Sequence, residues 1–352
     1  MPSDLNQLRV SDFDYDLPAE LIAQHPLSER DASKMLIVDR ATGKWCDSTF
    51  VSLPDFLRAN DVLVLNNTRV FPARLPGERA PSGGAVELLL LREIEPNVWS
   101  ALARPARRLR TGARITFSGG KLRAEVIESL AGGVRLLRFE SEKPLNDLVD
   151  EIGRTPLPPY IKREGEQSSS DAERYQTVYA KERGAIAAPT AGLHFTPRVL
   201  QEIEARGVSL AEITLHVGYG TFEPVRAEVI SEHRVAAEWF SVDDEAAQVI
   251  NRARVAGGRI IAIGTTTARA LESSGRDDGQ IEPRSGFAGL TIVPGYRFCA
   301  VDALLTNFHL PRSSLLMLVS AFAGRHLIIA AYKHAVRERY RFYSFGDCML
   351  IL

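Results

Sequence analysis

The sequence predicts an α/β protein: a sheet-and-helix domain built from both chain ends, with an inserted antiparallel β-barrel domain. Three observations carry this reading. Short β segments separated by glycine pairs crowd residues 69–140. Strands alternate with helices after about residue 190. Between these regimes, Thr155-Pro-Leu-Pro-Pro159 forms a stiff return connection. The expected division is 1–67 plus 153–352 for the α/β domain and 68–152 for the barrel.

Each element follows from local chemistry. Leu17–Gln24 reads as a helix with Pro18 in its first turn, while Met35–Val38 and Asp61–Leu65 read as buried strands bounded by polar residues. Ala85–Leu91, Val98–Ala103, Ala113–Phe117, Leu122–Ile127 and Val134–Phe139 are barrel strands, and a short helix follows Pro144. Tyr175 and Tyr179 stand four apart, as on one helical face. Thr196 is an N-cap with Pro197 at the first helical position, and Gly207 ends that helix. Leu210–Val217 is a strand, Asp243–Ala256 a helix, Arg259–Ile263 a strand and Ser313–Phe322 an apolar helix.

Composition bounds the class. The chain has 352 residues, 45% hydrophobic and 25% charged, which is ordinary for a soluble protein. Cys46, Cys299 and Cys348 are few, scattered and odd in number, as expected in a reducing compartment. No apolar run is long enough to span a bilayer, and Met1–Leu21 carries acids where a secretory leader would be basic and then apolar. The expectation is a cytoplasmic protein without a membrane partner, acting as a monomer. The net charge is −1, yet residues 101–140 hold nine basic against three acidic side chains. Arg104, Arg107, Arg108 and Arg110 are the densest part. They read either as a solvated, salt-bridged surface or as a phosphate-contacting face, since guanidinium forks match phosphate oxygens.

Three polar-glycyl segments carry a histidine where a strand gives way to a loop: Ala188-Pro-Thr-Ala-Gly-Leu-His-Phe-Thr196, Leu215-His-Val-Gly-Tyr-Gly-Thr-Phe222 and Thr306-Asn-Phe-His-Leu-Pro311. Such strand ends hold ligands in open α/β sheets, and histidine titrates nearest neutrality. Taken singly, His194, His216 and His309 are each more often structural than catalytic; three together point to a proton-handling pocket. His194 and His216 are expected to face it, with Thr190, Tyr219 and the Gly264-Thr265-Thr266 turn as its lining. No His-x-x-x-His or Cys-x-x-Cys pair is present, so no metal is expected. Gly264-Thr265-Thr266 follows a strand and opens a helix, so its N–H groups suit an anionic ligand group. No dinucleotide or phosphate-loop fingerprint and no Gly-x-Ser-x-Gly elbow occurs.

These same segments resemble the S-adenosylmethionine:tRNA ribosyltransferase-isomerase family of queuosine biosynthesis. The likeness runs nearly end to end and includes Asp12–Pro18, Arg30–Ser33, Asn67–Val70, Tyr175–Ala180, Leu271-Glu-Ser273, Leu315–Gly324 and Tyr340–Asp347. Gly286–Ile292 departs from the family by being shorter, and His233–Glu238 by lacking a small polar residue before its glutamate. The resemblance implies transfer and isomerisation of the ribosyl part of S-adenosylmethionine onto 7-aminomethyl-7-deazaguanine at a tRNA wobble position. S-adenosylmethionine is then a consumed substrate, and no cofactor is expected. For that reaction the three segments offer His194 and His216, then His309, as catalytic residues. Thr190, Gly192, Tyr219, Gly220, Thr221, Glu223, Gly264, Thr265, Thr266 and Asn307 would bind substrate, with Arg104, Arg107, Arg108 and Arg110 on the tRNA. The alternatives are a tRNA- or nucleotide-binding module without chemistry, or an S-adenosylmethionine-dependent RNA methyltransferase.

Overall fold

A computed structural model describes residues 8–163, 169–222 and 224–352. Strand β1 (Lys34–Asp39) forms a hairpin with β2 (Lys44–Thr49). Next, β3 (Val62–Asn66) is buried along its whole length, as expected of a strand covered on both faces. Its residues divide alternately between two cores: Val62 and Val64 pack with one, Leu63 and Leu65 with the other. The short β4 (Thr68–Val70) then leaves the sheet.

Six antiparallel strands close a barrel: β5 (Arg74–Ala80), β6 (Gly84–Glu95), β7 (Val98–Arg104), β8 (Arg114–Phe117), β9 (Leu122–Ser129) and β10 (Val134–Ser141). Sequence reading missed β5 because Pro76-Gly77 sits inside it. Gly77 is there for close approach: a Cβ would lie 2.6 Å from the Phe117 ring. Inward-facing Leu75, Leu88, Leu90, Ile115, Val126 and Leu137 fill the barrel, and helix α1 (Leu145–Ile152) plugs it with Leu145, Leu148 and Val149.

After α2 (Ser169–Arg174), strand β11 (Glu182–Ala185) pairs in parallel with β4. The large sheet is completed by β12 (Ser209–Leu215), β13 (Glu238–Val242), β14 (Ile260–Ile263), β15 (Arg284–Ala288), β16 (Ala303–Asn307) and β17 (Cys348–Ile351). Its order is β15-β13-β12-β3-β14-β16-β17-β1-β2. The neighbours β12, β3, β14 and β16 are mutually parallel, so their C-terminal ends share one edge. Helices α4 (Asp244–Val255), α5 (Thr265–Ser274), α6 (Ser314–Ala323) and α7 (Arg325–Arg337) supply one core; α3 (Pro197–Ala205) and the 3₁₀ turn Phe50–Phe56 supply the other. Thr196 caps α3 as read, its hydroxyl accepting from Val199 N at 3.3 Å.

Two local expectations fail for tertiary reasons. The helix expected over 17–24 is a single 3₁₀ turn, Ala19–Leu21, because the chain on either side pairs with Phe342: Phe342 N donates to Leu21 O and Ala23 N to Phe342 O. Tyr175 and Tyr179 lie beyond the end of α2 and do not share a helical face. Both are buried against other rings, Phe345 and Phe195 respectively.

Candidate active site

At the shared strand edge lies a small chamber, with a cavity volume of about 60 Å³. β14 ends at Gly264, whose φ of +96° requires glycine, and α5 begins at Thr265 with no side-chain cap. Thr265 and Thr266 face the chamber with Thr306, Asn307, Phe308 and His309 from the end of β16. Ala187–Ala191, Val217, Leu315, Tyr160, Tyr343 and Ser344 complete the wall. The Thr266 hydroxyl and the Asn307 side-chain oxygen are buried there without a hydrogen-bond partner among the described residues. Buried polar atoms are normally satisfied, so two such atoms at one cavity mark a place for a polar ligand. A helix N-terminus beside them favours negative charge.

The three histidines do not share this chamber. His309 lines it, with Nε2 2.8 Å from Thr306 Oγ1 and its backbone N–H donating to the Tyr332 hydroxyl at 3.1 Å. Burial pushes its pKa down to about 3, so the ring is neutral. His194 lies in a separate crevice with Arg30, Ser33 and Arg174. The 3₁₀ turn Thr190–His194 points Thr190 and Ala191 into the chamber and His194 towards Ser33 Oγ, 3.0 Å away. Burial, then the charge of Arg341, lowers its pKa to about 4. His216 turns away because Val217, next in an extended segment, faces inward. Its ring stacks on Trp239 at 4.9 Å and holds Thr68 Oγ1 at 2.8 Å through Nδ1; burial lowers its pKa. The expectation that His194 and His216 face one pocket is therefore corrected.

Tyr219 lines a second, larger cleft of about 450 Å³ where the barrel meets the sheet domain. Arg74, Arg104, Arg154 and Arg163 surround it against one acidic residue, Glu87. Glu87 pairs with Arg74 at 2.7 Å, and Arg163 pairs with Asp171 at 2.7 Å. Cleft and chamber adjoin: Ile161, Ile186 and Tyr219 face the cleft, while Tyr160, Ala187 and Val217 face the chamber. Gly218 between them is tied to a buried ion pair, its N–H donating to Glu238 at 2.7 Å while Glu238 holds Arg269 at 2.6 Å.

The remaining expectations separate by position. Gly192 is a packing residue, since a Cβ there would come within 2.1 Å of the Tyr179 hydroxyl. Gly220 lines a small third hollow beside Arg269 and Ser314. Glu223 and the side chain of Thr221 lie outside the described residues. Arg104, Arg107, Arg108 and Arg110 are all exposed, with no carboxylate partner among the described residues. Beneath them Arg135 is buried, donating to the carbonyls of Leu109, Ala106 and Val134 and so clamping the turn. Sequence reading missed Tyr160, Tyr343 and Ser344. Tyr343 sits at φ +75°, a rare conformation for a tyrosine that residue type alone does not signal. Among the described residues, no group of three or more His, Cys, Asp or Glu is placed to hold a metal ion, and no single helix is long and apolar enough to cross a membrane.

Comparison with known proteins places this geometry. The family described as queuosine biosynthesis protein matches residues 10–351. The chain belongs to that family. It is 49% identical over 344 residues to the S-adenosylmethionine:tRNA ribosyltransferase-isomerase of Acetivibrio thermocellus, covering 98% of this chain and 100% of the relative. It is also similar to the crystal structure of the S-adenosylmethionine tRNA ribosyltransferase of Thermotoga maritima, at 36% identity and a TM-score of 0.55, covering 97% of this chain and 100% of that one. The chain is accordingly an enzyme, a transferase of that class.

Proposed function

We propose that this protein transfers and isomerises the ribosyl part of S-adenosylmethionine onto the amine of 7-aminomethyl-7-deazaguanine in a tRNA wobble position. The observation that carries the reading is the pair of adjoining cavities. One is a sheltered chamber with unsatisfied polar atoms, and the other is an arginine-lined cleft opening at the barrel. A bisubstrate enzyme needs such a pair, and the near full-length likeness to named ribosyltransferase-isomerases supports it. S-adenosylmethionine occupies the chamber and the modified nucleotide enters from the cleft. Thr190, Gly264, Thr265, Thr266 and Asn307 hold the sulfonium substrate, with the rings of Tyr160, Tyr343 and Phe308 suited to face its positive charge.

The reaction is redox-neutral and its atoms close without a cofactor. One sulfonium cation and one neutral amine give the amine-linked epoxycyclopentane, adenine, methionine and one proton. The sulfonium acidifies the adjacent 5′ hydrogens, so a positioned base generates an ylide that drives loss of adenine. As adenine leaves, the ring C4′–O bond opens to give a vinyl sulfonium and a C1′ aldehyde. The amine forms the new C–N bond at C4′ and gives up its proton. The resulting C5′ carbanion closes the cyclopentane on C1′, and the C1′ alkoxide displaces methionine from C5′ as the epoxide closes. His309, neutral and in the chamber wall, is the histidine placed to handle a proton. The protein's other contribution is orientation and exclusion of water. Arg104, Arg107, Arg108 and Arg110 contact tRNA phosphates.

The test is product analysis with tRNA carrying the aminomethyl-deazaguanine and with S-adenosylmethionine. Release of adenine and methionine supports the reading. S-adenosylhomocysteine as product would make the protein a methyltransferase, and tRNA binding without turnover would make it a binding module.

A further inference from the structure

The hydrogen bonds behind the chamber have a fixed direction. Asn307 Nδ2 lies 3.2 Å from Tyr343 O and 3.4 Å from Asp347 O, and both partners are carbonyls that only accept. That settles which end of the amide is nitrogen, an assignment usually left open. The same Nδ2 lies 3.3 Å from His194 Nε2; an amide nitrogen does not accept, so Nε2 is read as the bare nitrogen, sharing the amide's two hydrogens with the two carbonyls. The proton of the neutral ring then sits on Nδ1, 3.0 Å from Ser33 Oγ, and the ring is held as well by a hydrogen bond with the Arg30 backbone. Asn307 Oδ1 is left as the unsatisfied acceptor at the chamber. His194 and Asn307 are 4% and 2% exposed, so water does not substitute for these contacts.

We infer that His194 is a positioning residue: through Ser33–His194–Asn307 it locks the Asn307 amide so that Oδ1 accepts a hydrogen bond from an N–H or O–H group of the bound sulfonium substrate. This rests on the reading proposed above. His194 does not itself line the chamber, reaching it only through Asn307, and moves no proton in the reaction. A rotated Asn307 would offer a donor where the substrate presents a donor, so binding suffers first and chemistry second. Phe50 packs 5.2 Å from the imidazole and keeps its plane from turning.

The experiment compares His194→Leu and His194→Gln, reading KM for S-adenosylmethionine, kcat and the pH profile of adenine release, with calorimetric binding of S-adenosylmethionine alone. His194→Leu removes the acceptor and is expected to raise KM and Kd about tenfold or more, the worth of one buried hydrogen bond. The shape of the pH profile should stay as in the parent. His194→Gln supplies a carbonyl oxygen to Asn307 and should recover most of the loss. If His194→Leu unfolds, Ser33→Ala is the second variant; it frees the ring to change tautomer and should weaken binding in the same direction. An intact KM and Kd in the Leu variant would overturn the inference. So would a lost limb of the pH profile with a hundredfold fall in kcat that Gln does not restore, because that is the signature of an acid–base group. Because binding is read separately from turnover, failure of the parent protein to release adenine would count against the proposed reaction and leave the binding comparison standing.

Discussion

The imidazole of His216 lies directly against the backbone of Gly184: a Cβ at position 184 would sit 2.4 Å from Nε2. With Trp239 stacked on the ring at 4.9 Å, there is no room for a side chain on β11 at this point. Gly184→Ala is expected to displace the ring and destabilise the protein by about 1–3 kcal/mol, the usual cost of overpacking. Urea denaturation reads the stability, and single-turnover adenine release reads the site. A variant as stable as the parent would mean that the ring moves at no cost.

His309→Ala is expected to lower single-turnover adenine release by about a hundredfold to ten-thousandfold with the fold intact. Thr306→Val removes the hydroxyl at His309 Nε2 and should produce a smaller fall in the same step. A rate within a few-fold of the parent in His309→Ala would return this histidine to a structural role.

On the barrel, charge and scaffold are separable. Arg107→Ala removes one exposed cation and is expected to lower the log–log salt slope of tRNA binding by roughly one. Arg135→Met leaves the surface arginines in place but releases the carbonyls of Ala106 and Leu109. It should weaken tRNA binding through a loosened turn while leaving the slope nearer to that of the parent. Titration of both variants at several salt concentrations distinguishes the two effects.

Glu238 and Arg269 form a pair buried to 4% and 7% side-chain exposure. Glu238→Gln leaves a buried guanidinium uncompensated and is expected to cost about 3–5 kcal/mol. The one remaining amide oxygen cannot serve both Gly218 N–H and Arg269, so the Gly218–Gly220 turn is held less firmly and the effect should also appear in substrate binding. Equilibrium unfolding with a calorimetric binding measurement checks both.

Stability should fall in mild acid. An unfolded histidine takes up a proton near pH 6.5, whereas folded His194 and His309 remain neutral until about 4 and about 3. The unfolded state therefore binds more protons below pH 6.5, and stability that is complete above that pH is lost as the pH falls towards 4. Each such histidine contributes a slope of about 1.4 kcal/mol per pH unit within the window. Urea midpoints measured from pH 7.5 to 4.5 should show this loss, and His194→Gln should flatten it by about one proton.

The fold was legible where one chemical signal sufficed. Glycine pairs marked the barrel turns, Thr196-Pro197 marked the start of α3, and unbroken apolar runs marked β3 and β14. β5 was hidden because Pro76-Gly77 argues against a strand until Phe117 is seen filling the glycine's place. The site was legible as segments and not as directions. Thr190, Gly264, Thr266, Asn307 and His309 reach the chamber, but only the pleat decides that Val217 faces in and His216 out. Tyr160 and Tyr343 come from stretches that carry none of the histidine-bearing segments and meet only through tertiary packing, their rings 3.9 Å apart.

Strand β17 lies between β16 and β1, with Met35 opposite Cys348 and Val38 opposite Ile351. A strand made early in synthesis thus waits for one made more than three hundred residues later, whereas the barrel's pairings are complete by Ser141. On a ribosome the barrel is free to fold while the sheet edge that builds the chamber is still missing a central member. Any nascent chain arrested before residue 343 would lack β17, exposing the apolar flanks of β1 and β16, and the adjoining chamber would lack the wall contributed by Tyr343 and Ser344. The order of synthesis thus lets the barrel fold first and completes the chamber last.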